Sequence, residues 1–477
     1  MMRLLLLFLS LTVTSISWAI DLPDMGNSAS TVVSQSEEQE IGKAFMRELR
    51  RQTEVIDDIE ISNYINALGH KLSSYSDAPE QPFYFFVVKD KSINAFAVPG
   101  GFIGFHSGLI LAAQSESELA SVCAHEIAHV TQHHIARTIE ASSQMSIPMI
   151  AGMIAAAILA FANPTAGQAA IAALTAGNIQ MQINFTRNHE SEADRVGIKI
   201  LADAGFEPRD MPLFFERLQA ESRHYTQSPE FLRTHPVTTD RIAEARDRAE
   251  RYAKVTLQDD SPAYHLMRAK LLVVTTEDID SLIKQLEDML AEKKYRDERA
   301  TRYALALARL KTRQADGVQQ HIDWLVKHDN DRVAYRLLGA QLALLQKDEA
   351  TAIQRFDAAM KVYPTDQQLS LQYAADLLQL GQAAKAKQIL LKTAAHSYPN
   401  YYQLLALAHQ QTNDPAEAAL AQAEYYYLNG QIGLAVEQLR QARTRKDLSF
   451  YLASRIESRF RALQAELQQE KEKKKEE

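Results

Sequence analysis

His125-Glu126-Ile127-Ala128-His129 gathers two imidazoles and a carboxylate into one short run. On a helix, residues four apart stand on the same face with about 6 Å between their Cβ atoms, so His125 and His129 can reach one metal ion together. Glu126 projects beside them, placed to take a proton from an attacking water. Such spacing points to zinc-dependent hydrolysis. With 14 histidines in 477 residues, a chance match is expected in roughly a few per cent of chains, and a structural pair of histidines is the competing account.

A catalytic zinc site needs a third protein ligand and an open fourth position. The same helix does not offer the ligand in the metzincin manner, because Gln132 and Ile135 stand where that pattern has glycine and histidine. His133 lies one further turn along, too far to share an ion with His125, and both His133 and His134 read as surface residues or as supports behind the ligands. Cys123 lies about 200° around the axis from His125 and reads as a small buried residue. A better source is Arg187-Asn188-His189-Glu190-Ser191-Glu192-Ala193-Asp194. Glu190 and Asp194 share a helical face, so Glu190 can turn to the metal and Asp194 to the far ring nitrogen of a ligand histidine. Glu192 as the ligand, and a merely exposed charged face, remain open alternatives. Beyond them, His235 stands beside the helix-breaking Pro236, followed by Arg241.

The elements that must position these groups can be read independently. Ser115 to Glu118 fits a Ser-x-x-Glu capping box ahead of Leu119, Val122, Ile127 and Val130, which predicts a helix through the motif. Upstream, a helical pair is expected over residues 37 to 75, capped by Ser36. Phe83 to Lys89, Ala95 to Val98 and Phe102 to Phe105, with Pro99-Gly100-Gly101 as a turn, read as a small antiparallel sheet with a tight hairpin. Ile147 to Ala162 is apolar but shorter than the roughly 18 residues of a spanning helix. With the alanine-rich stretch to residue 176 it reads as buried or membrane-surface helices, the latter a peripheral membrane contact. Beyond about residue 260 strand signals vanish. Turns at Gln346-Lys347-Asp348, Leu380-Gly381-Gln382 and Asp414-Pro415 recur at about 34 residues, the tetratricopeptide period. Ala352, Phe356, Ala359 and Pro364 fit that repeat's second helix; Ala386, Leu390 and Pro399 fit it more loosely.

Composition sets outer bounds. A formal charge of -8 and a pI near 6.0 argue against nucleic acid as a partner. Arg3, an apolar run from Leu4 to Val13, and Ser17-Trp18-Ala19 form a secretory signal cleaved after Ala19. A single cysteine means that no intrachain disulfide supports the fold.

His125 to His129, Asn188 to Gly197 and Ser92 to Ile110 together resemble the CaaX-prenyl-endopeptidase and HtpX class of gluzincin metallopeptidases, over about residues 40 to 250. The resemblance implies that His125, His129 and Glu190 ligate one zinc ion per chain, that Glu126 is the general base and that Asp194 supports a ligand. It implies that His235 and Arg241 face the cleft and stabilise the oxyanion. His235 has a second reading, in which its imidazole occupies the open position and holds the enzyme latent.

The expected fold class is mainly α: a zincin-like helical metallopeptidase domain with a small antiparallel β-sheet, then a tetratricopeptide-repeat solenoid. Its expected bounds are a signal peptide at 1–19, a metallopeptidase domain at 20–260, a repeat domain at 261–463 and a charged tail at 464–477. The signal and repeats are similar to those of exported members of the class that act on outer-membrane β-barrel proteins and their assembly machinery. By that resemblance the chain is a Gram-negative periplasmic endopeptidase, peripheral to the outer membrane, that degrades stalled or misfolded β-barrel proteins and assists their assembly. The alternative is a chaperone or scaffold whose repeats carry the main function, with proteolysis minor.

Overall fold

The computed structural model describes residues 34–141, 179–222, 229–252 and 259–476. The expected leader at residues 1–19 and the apolar stretch 147–176 lie outside the described residues. Helix α1 (Gln35–Gln52) begins two residues earlier than expected. Ser34, not Ser36, is its cap because Glu37 stands three residues on: the Glu37 N–H donates to Ser34 Oγ at 3.3 Å, and the Ser34 N–H to the Glu37 carboxylate at 2.8 Å. Asp58 caps α2 (Ile59–Ser73).

Strands β1 (Tyr84–Val88), β2 (Ala95–Val98) and β3 (Phe102–His106) form a sheet of order β1-β3-β2. The β2–β3 hairpin is antiparallel, as expected, and both turn glycines have positive φ, 82° at Gly100 and 79° at Gly101. The sheet as a whole is mixed, because β1 pairs with β3 in parallel. β3 is buried along its length and takes the centre, and Gly104 lets Phe96 and Phe86 close over it. That leaves β2 as an edge strand. Then follow α3 (Ser107–Ala112), α4 (Glu116–Thr131), α5 (His134–Ala141), α6 (Ile179–Asp203), α7 (Asp210–Ser222), α8 (Glu230–Thr234) and α9 (Thr239–Arg251), counting described helices. Leu68, Phe85, Ile103, Val122, Ile198 and Phe214 share one core, in which α4 is the central helix.

The rest of the described chain is helical: α10 (Pro262–Thr275), α11 (Ile279–Ala291), α12 (Glu298–Lys311), α13 (Val318–His328), α14 (Val333–Leu345), α15 (Glu349–Val362), α16 (Gln367–Gln379), α17 (Ala383–Leu390), α18 (Pro399–Gln411), α19 (Pro415–Leu428), α20 (Ile432–Arg443) and α21 (Phe450–Glu476). Its regularity lies in the turns. Arg313, Lys347, Gly381 and Asn413 are left-handed, with φ of 59°, 63°, 74° and 57°. After each, the next N–H reaches the carbonyl five residues back at 2.8–2.9 Å, closing the helix end in a Schellman motif. The first three of these residues stand about 34 residues apart. Ala352, Phe356 and Ala359 are buried, and Phe356 stacks on Tyr373 of the next helix pair with centroids 4.5 Å apart.

α10 joins the two parts by burying two faces. Tyr264, Met267 and Leu271 enter the first core, and Leu266, Ala269 and Val273 enter that of the helical region. On α2, Glu60 accepts from Lys270 Nζ at 3.0 Å, the Tyr303 hydroxyl at 2.7 Å and the Gln368 amide at 3.1 Å, while Asp58 holds Lys270 at 2.9 Å. Arg47 of α1 pairs with Glu466 of α21 at 2.7 Å. The helical region thus grips the first part along α1 and α2.

Asp376 of α16 is buried with the Gln372 amide as a partner at 3.1 Å, and burial pushes its carboxyl up to about 6. A folded pKa above the unfolded value near 3.9 means that its stabilising share is complete below about pH 4 and is lost as pH rises through about 6. Asp376→Asn is therefore expected to stabilise the helical region by on the order of 1–2 kcal/mol at pH 7.5, with the gain shrinking toward pH 4. Thermal melts at both pH values check this, and a melting temperature lowered at pH 7.5 would refute it.

Candidate metal centre and active site

α4 carries the metal-binding pattern and is held at its start by polar contacts. Ser115 Oγ accepts the Glu118 N–H at 3.0 Å, which is half of the expected capping box. The Glu118 carboxylate reaches past Ser115 to the Gln114 N–H at 2.6 Å and also pairs with Arg217. Glu116 accepts from the Tyr64 hydroxyl at 2.6 Å and from Ser261 Oγ at 2.8 Å, tying the helix to α2 and to the cap of α10. Along its length α4 lies against α6. Between them stands Gly197, where a Cβ would come within 3.1 Å of the His125 backbone nitrogen. The missing side chain lets the two helices meet at the His125 backbone.

His125, His129 and Glu190 converge there. His129 Nε2 is 3.0 Å from His125 Nε2, and the Glu190 oxygens are 3.4 Å from each of these nitrogens. Two ligands about 2.0–2.1 Å from a tetrahedral ion lie roughly 3.3 Å apart, so this spacing fits a shared divalent cation. His235 completes a four-donor group whose ligand atoms all lie within 4.8 Å of one another. Its Nδ1 is 3.0 Å from Glu190 and 3.4 Å from His125 Nε2. The local charge balance agrees, since Glu126, Glu190 and Asp194 are all buried against a single buried guanidinium, Arg241. Burial opposes ionisation of Glu190, but His235, His125 and His129 outweigh it and hold the carboxyl well below its usual range. Burial likewise disfavours a charged His125, yet the carboxylates of Asp194 and Glu190 push it up to about 10. The pocket is short of positive charge, which a divalent cation supplies.

The model of peptidase family M48 matches residues 61–249. The chain is 35% identical over 442 residues to the beta-barrel assembly-enhancing protease of Escherichia coli (strain K12), covering 92% of this chain and 90% of that protein. The chain belongs to peptidase family M48. It is also 38% identical over 447 residues to the putative beta-barrel assembly-enhancing protease of Vibrio cholerae, with 92% of each covered. The mitochondrial metalloendopeptidase OMA1 of Schizosaccharomyces pombe is 28% identical over 179 residues, 38% of this chain and half of that one. As an M48 metallopeptidase the chain is an enzyme that uses a metal for peptide hydrolysis.

The structure brings together His125, Glu126, His129, Glu190, Asp194, His235 and Arg241, though not all in the expected posture. Asp194 Oδ1 lies 3.0 Å from His125 Nδ1, on the side of the ring away from the donor group. Glu192 lies outside the donor group and pairs instead with Arg137 at 2.8 Å and His134 at 3.3 Å. Arg241 departs from the expected cleft-facing posture. It grips Asp194 through Nε and a terminal nitrogen at 2.8 and 2.9 Å, Glu190 at 2.9 Å and the Pro236 carbonyl at 2.7 Å, and it lies over the Phe215 ring. Three of these contacts go to the buried carboxylates of Asp194 and Glu190 and one to a backbone carbonyl, because those groups are its nearest acceptors.

Two contributors went unassigned in sequence, Gly197 and the Ala97 backbone beside Glu126, while His134, expected as a surface residue or a support behind the ligands, stands against His129. Only Gly197 left a trace, as a glycine inside a helical pattern. Gly197→Val is expected to cost about 1–3 kcal/mol through overpacking and to weaken metal binding by parting α6 from α4. Melting temperature and metal content of the purified variant measure both, and wild-type values would show that the close approach is dispensable.

Proposed function

We propose that this M48 chain is a zinc-dependent endopeptidase of the Gram-negative periplasm, one zinc per chain, that degrades stalled or misfolded outer-membrane β-barrel proteins and assists their assembly. The observation that carries the reading is the convergence of His125, His129 and Glu190 beside Glu126. The names of the two bacterial relatives support the substrate class. The proposed organisation is a signal peptide at 1–19, a catalytic domain at 20–260, tetratricopeptide-type repeats at 261–463 that recruit partners, and a charged tail at 464–477. Among the described residues no helix is long and apolar enough to cross a membrane. Peripheral contact with the outer membrane is assigned to residues 147–176.

Zinc held by His125, His129 and Glu190 would supply Lewis-acid polarisation of the scissile carbonyl and of the attacking water. Burial, only partly offset by His235 and His125, raises the Glu126 carboxyl above its ordinary range, which makes it a stronger base toward that water. The Glu126 carboxylate lies near the Ala97 backbone, beside the edge strand β2. An extended substrate adding to β2 would bring its backbone past Glu126, giving affinity with little sequence preference. His235 sits within 3.4 Å of Glu126 through Nε2 while Nδ1 belongs to the donor group. That posture supports the latent reading, in which His235 fills the position that hydrolysis requires and yields it to substrate.

Glu126→Gln is expected to keep about one zinc and to lose roughly 10²–10⁴-fold in cleavage of an unfolded β-barrel protein, whereas Glu190→Gln should lose the metal. If the wild type bound no zinc, or Glu126→Gln cleaved as well as wild type, the peptidase reading would fail and the repeat-domain chaperone would replace it. For His235→Ala, basal cleavage should rise several-fold if the imidazole restrains the enzyme. A fall would assign His235 to oxyanion stabilisation, and no change would remove both roles.

A further inference from the structure

His125 and His129 are ligands of the same kind, yet they are backed differently. Behind His125 stands a carboxylate, Asp194, at 3.0 Å. Behind His129 stands another imidazole: His134 Nδ1 is 2.9 Å from His129 Nδ1. On the far side of that ring, His134 Nε2 is 3.3 Å from the Glu192 carboxylate, which Arg137 holds at 2.8 Å. The His134 ring is buried and stacked flat on His189, with centroids 4.2 Å apart and planes 7° from parallel.

The backbone is bent to make this contact. On a continued α4, His134 would point about 140° away from His129, five residues on. The helix ends at Thr131, and His133 takes a left-handed conformation with φ of 53°, unusual for a residue other than glycine. That turn starts α5 with His134 facing back toward His129. Proton placement then follows from valence. His129 Nε2 faces the donor group, so in the metal-binding tautomer its ring proton is on Nδ1 and is donated to His134. His134 must accept at Nδ1, which puts its own proton on Nε2, facing Glu192.

Resting on the assignment of His129 as a metal ligand, we infer that His134 and Glu192 form a hydrogen-bonded relay, His129 to His134 to Glu192, that positions His129. The relay fixes the tautomer and ring plane of His129, where His125 has the Asp194 carboxylate 3.0 Å away. His134 is a positioning residue, and it acts on the metal through His129 alone. Partners of this kind hold a ligand ring in place and make it more electron-rich; their loss typically weakens metal binding roughly 10- to 100-fold.

The test is zinc affinity by chelator competition on the full mature chain, with the visible spectrum of the cobalt-loaded protein as a second readout of ligand geometry. His134→Leu should bind zinc roughly 10- to 100-fold more weakly and shift the cobalt bands. His134→Asn, whose carbonyl oxygen can accept in place of Nδ1, should stay within about threefold of wild type. Wild-type affinity in His134→Leu, or equal losses in both variants, would overturn the relay and leave His134 a packing residue. Should His134→Leu fail to fold, Glu192→Ala decides the matter at the half-exposed end of the chain of contacts: a several-fold loss supports the relay and an unchanged affinity overturns it. Absence of zinc in the wild type itself would instead sink the metal-centre assignment.

Discussion

Glu126, Glu190 and Asp194 are buried together, and three carboxylates at such close quarters can persist only where cations and N–H donors surround them. Arg241 meets that demand in part, bridging Asp194 and Glu190 on α6 from its place on α9. The imidazoles of His125, His129 and His235 meet more of it, and a divalent cation held by the same donors would complete the balance. Much of the catalytic part can be understood as what holds these groups in one place. α4 brings His125, Glu126 and His129, α6 brings Glu190 and Asp194, and the turn after α8 brings His235. Removing one partner from such a cluster leaves an uncompensated buried charge, so its members depend on one another more than ordinary core residues do.

Holding charges together requires helices that approach closely and do not slide. Gly197 permits the approach of α6 to the His125 backbone, while α4 is pinned at its other end by the contacts of Glu116 with Tyr64 and Ser261. Ser261 is also the cap of α10, the helix that belongs to both hydrophobic cores. The start of the catalytic helix and the first helix of the C-terminal region are therefore fixed to each other by short polar contacts. The grip of Lys270, Tyr303 and Gln368 on Glu60 extends that connection along α2.

Polar docking of this kind suits two parts that must keep a defined orientation. An apolar contact tolerates sliding, whereas Glu60 satisfies three donors from three helices only in one arrangement. The enzyme and its proposed partner-binding surface thus share a register. Within the helical region the register is local instead, renewed at each left-handed turn residue and at stacked pairs such as Phe356 and Tyr373.

What the sequence determined by itself is what depends on near neighbours along the chain. Helical spacing put His125 with His129 and Glu190 with Asp194, and the Gly-Gly turn set the β2–β3 hairpin. Turn chemistry at intervals of about 34 residues marked helix ends that the structure closes with left-handed residues. Ser36 was mistaken for the cap of α1 by two residues, since Ser34 and Ser36 both precede acidic residues and only the reciprocal bonds with Glu37 separate them. Tertiary structure alone decided contacts between distant segments. It placed β3 between β1 and β2, turned Arg241 inward onto Asp194 and Glu190, and separated Glu192 from Glu190 although they stand two residues apart. It also brought His134 back to His129 through a left-handed His133. Pattern and spacing fix which face of an element a residue occupies; what that face meets depends on packing, and for buried charges on which partner lies near enough to neutralise them.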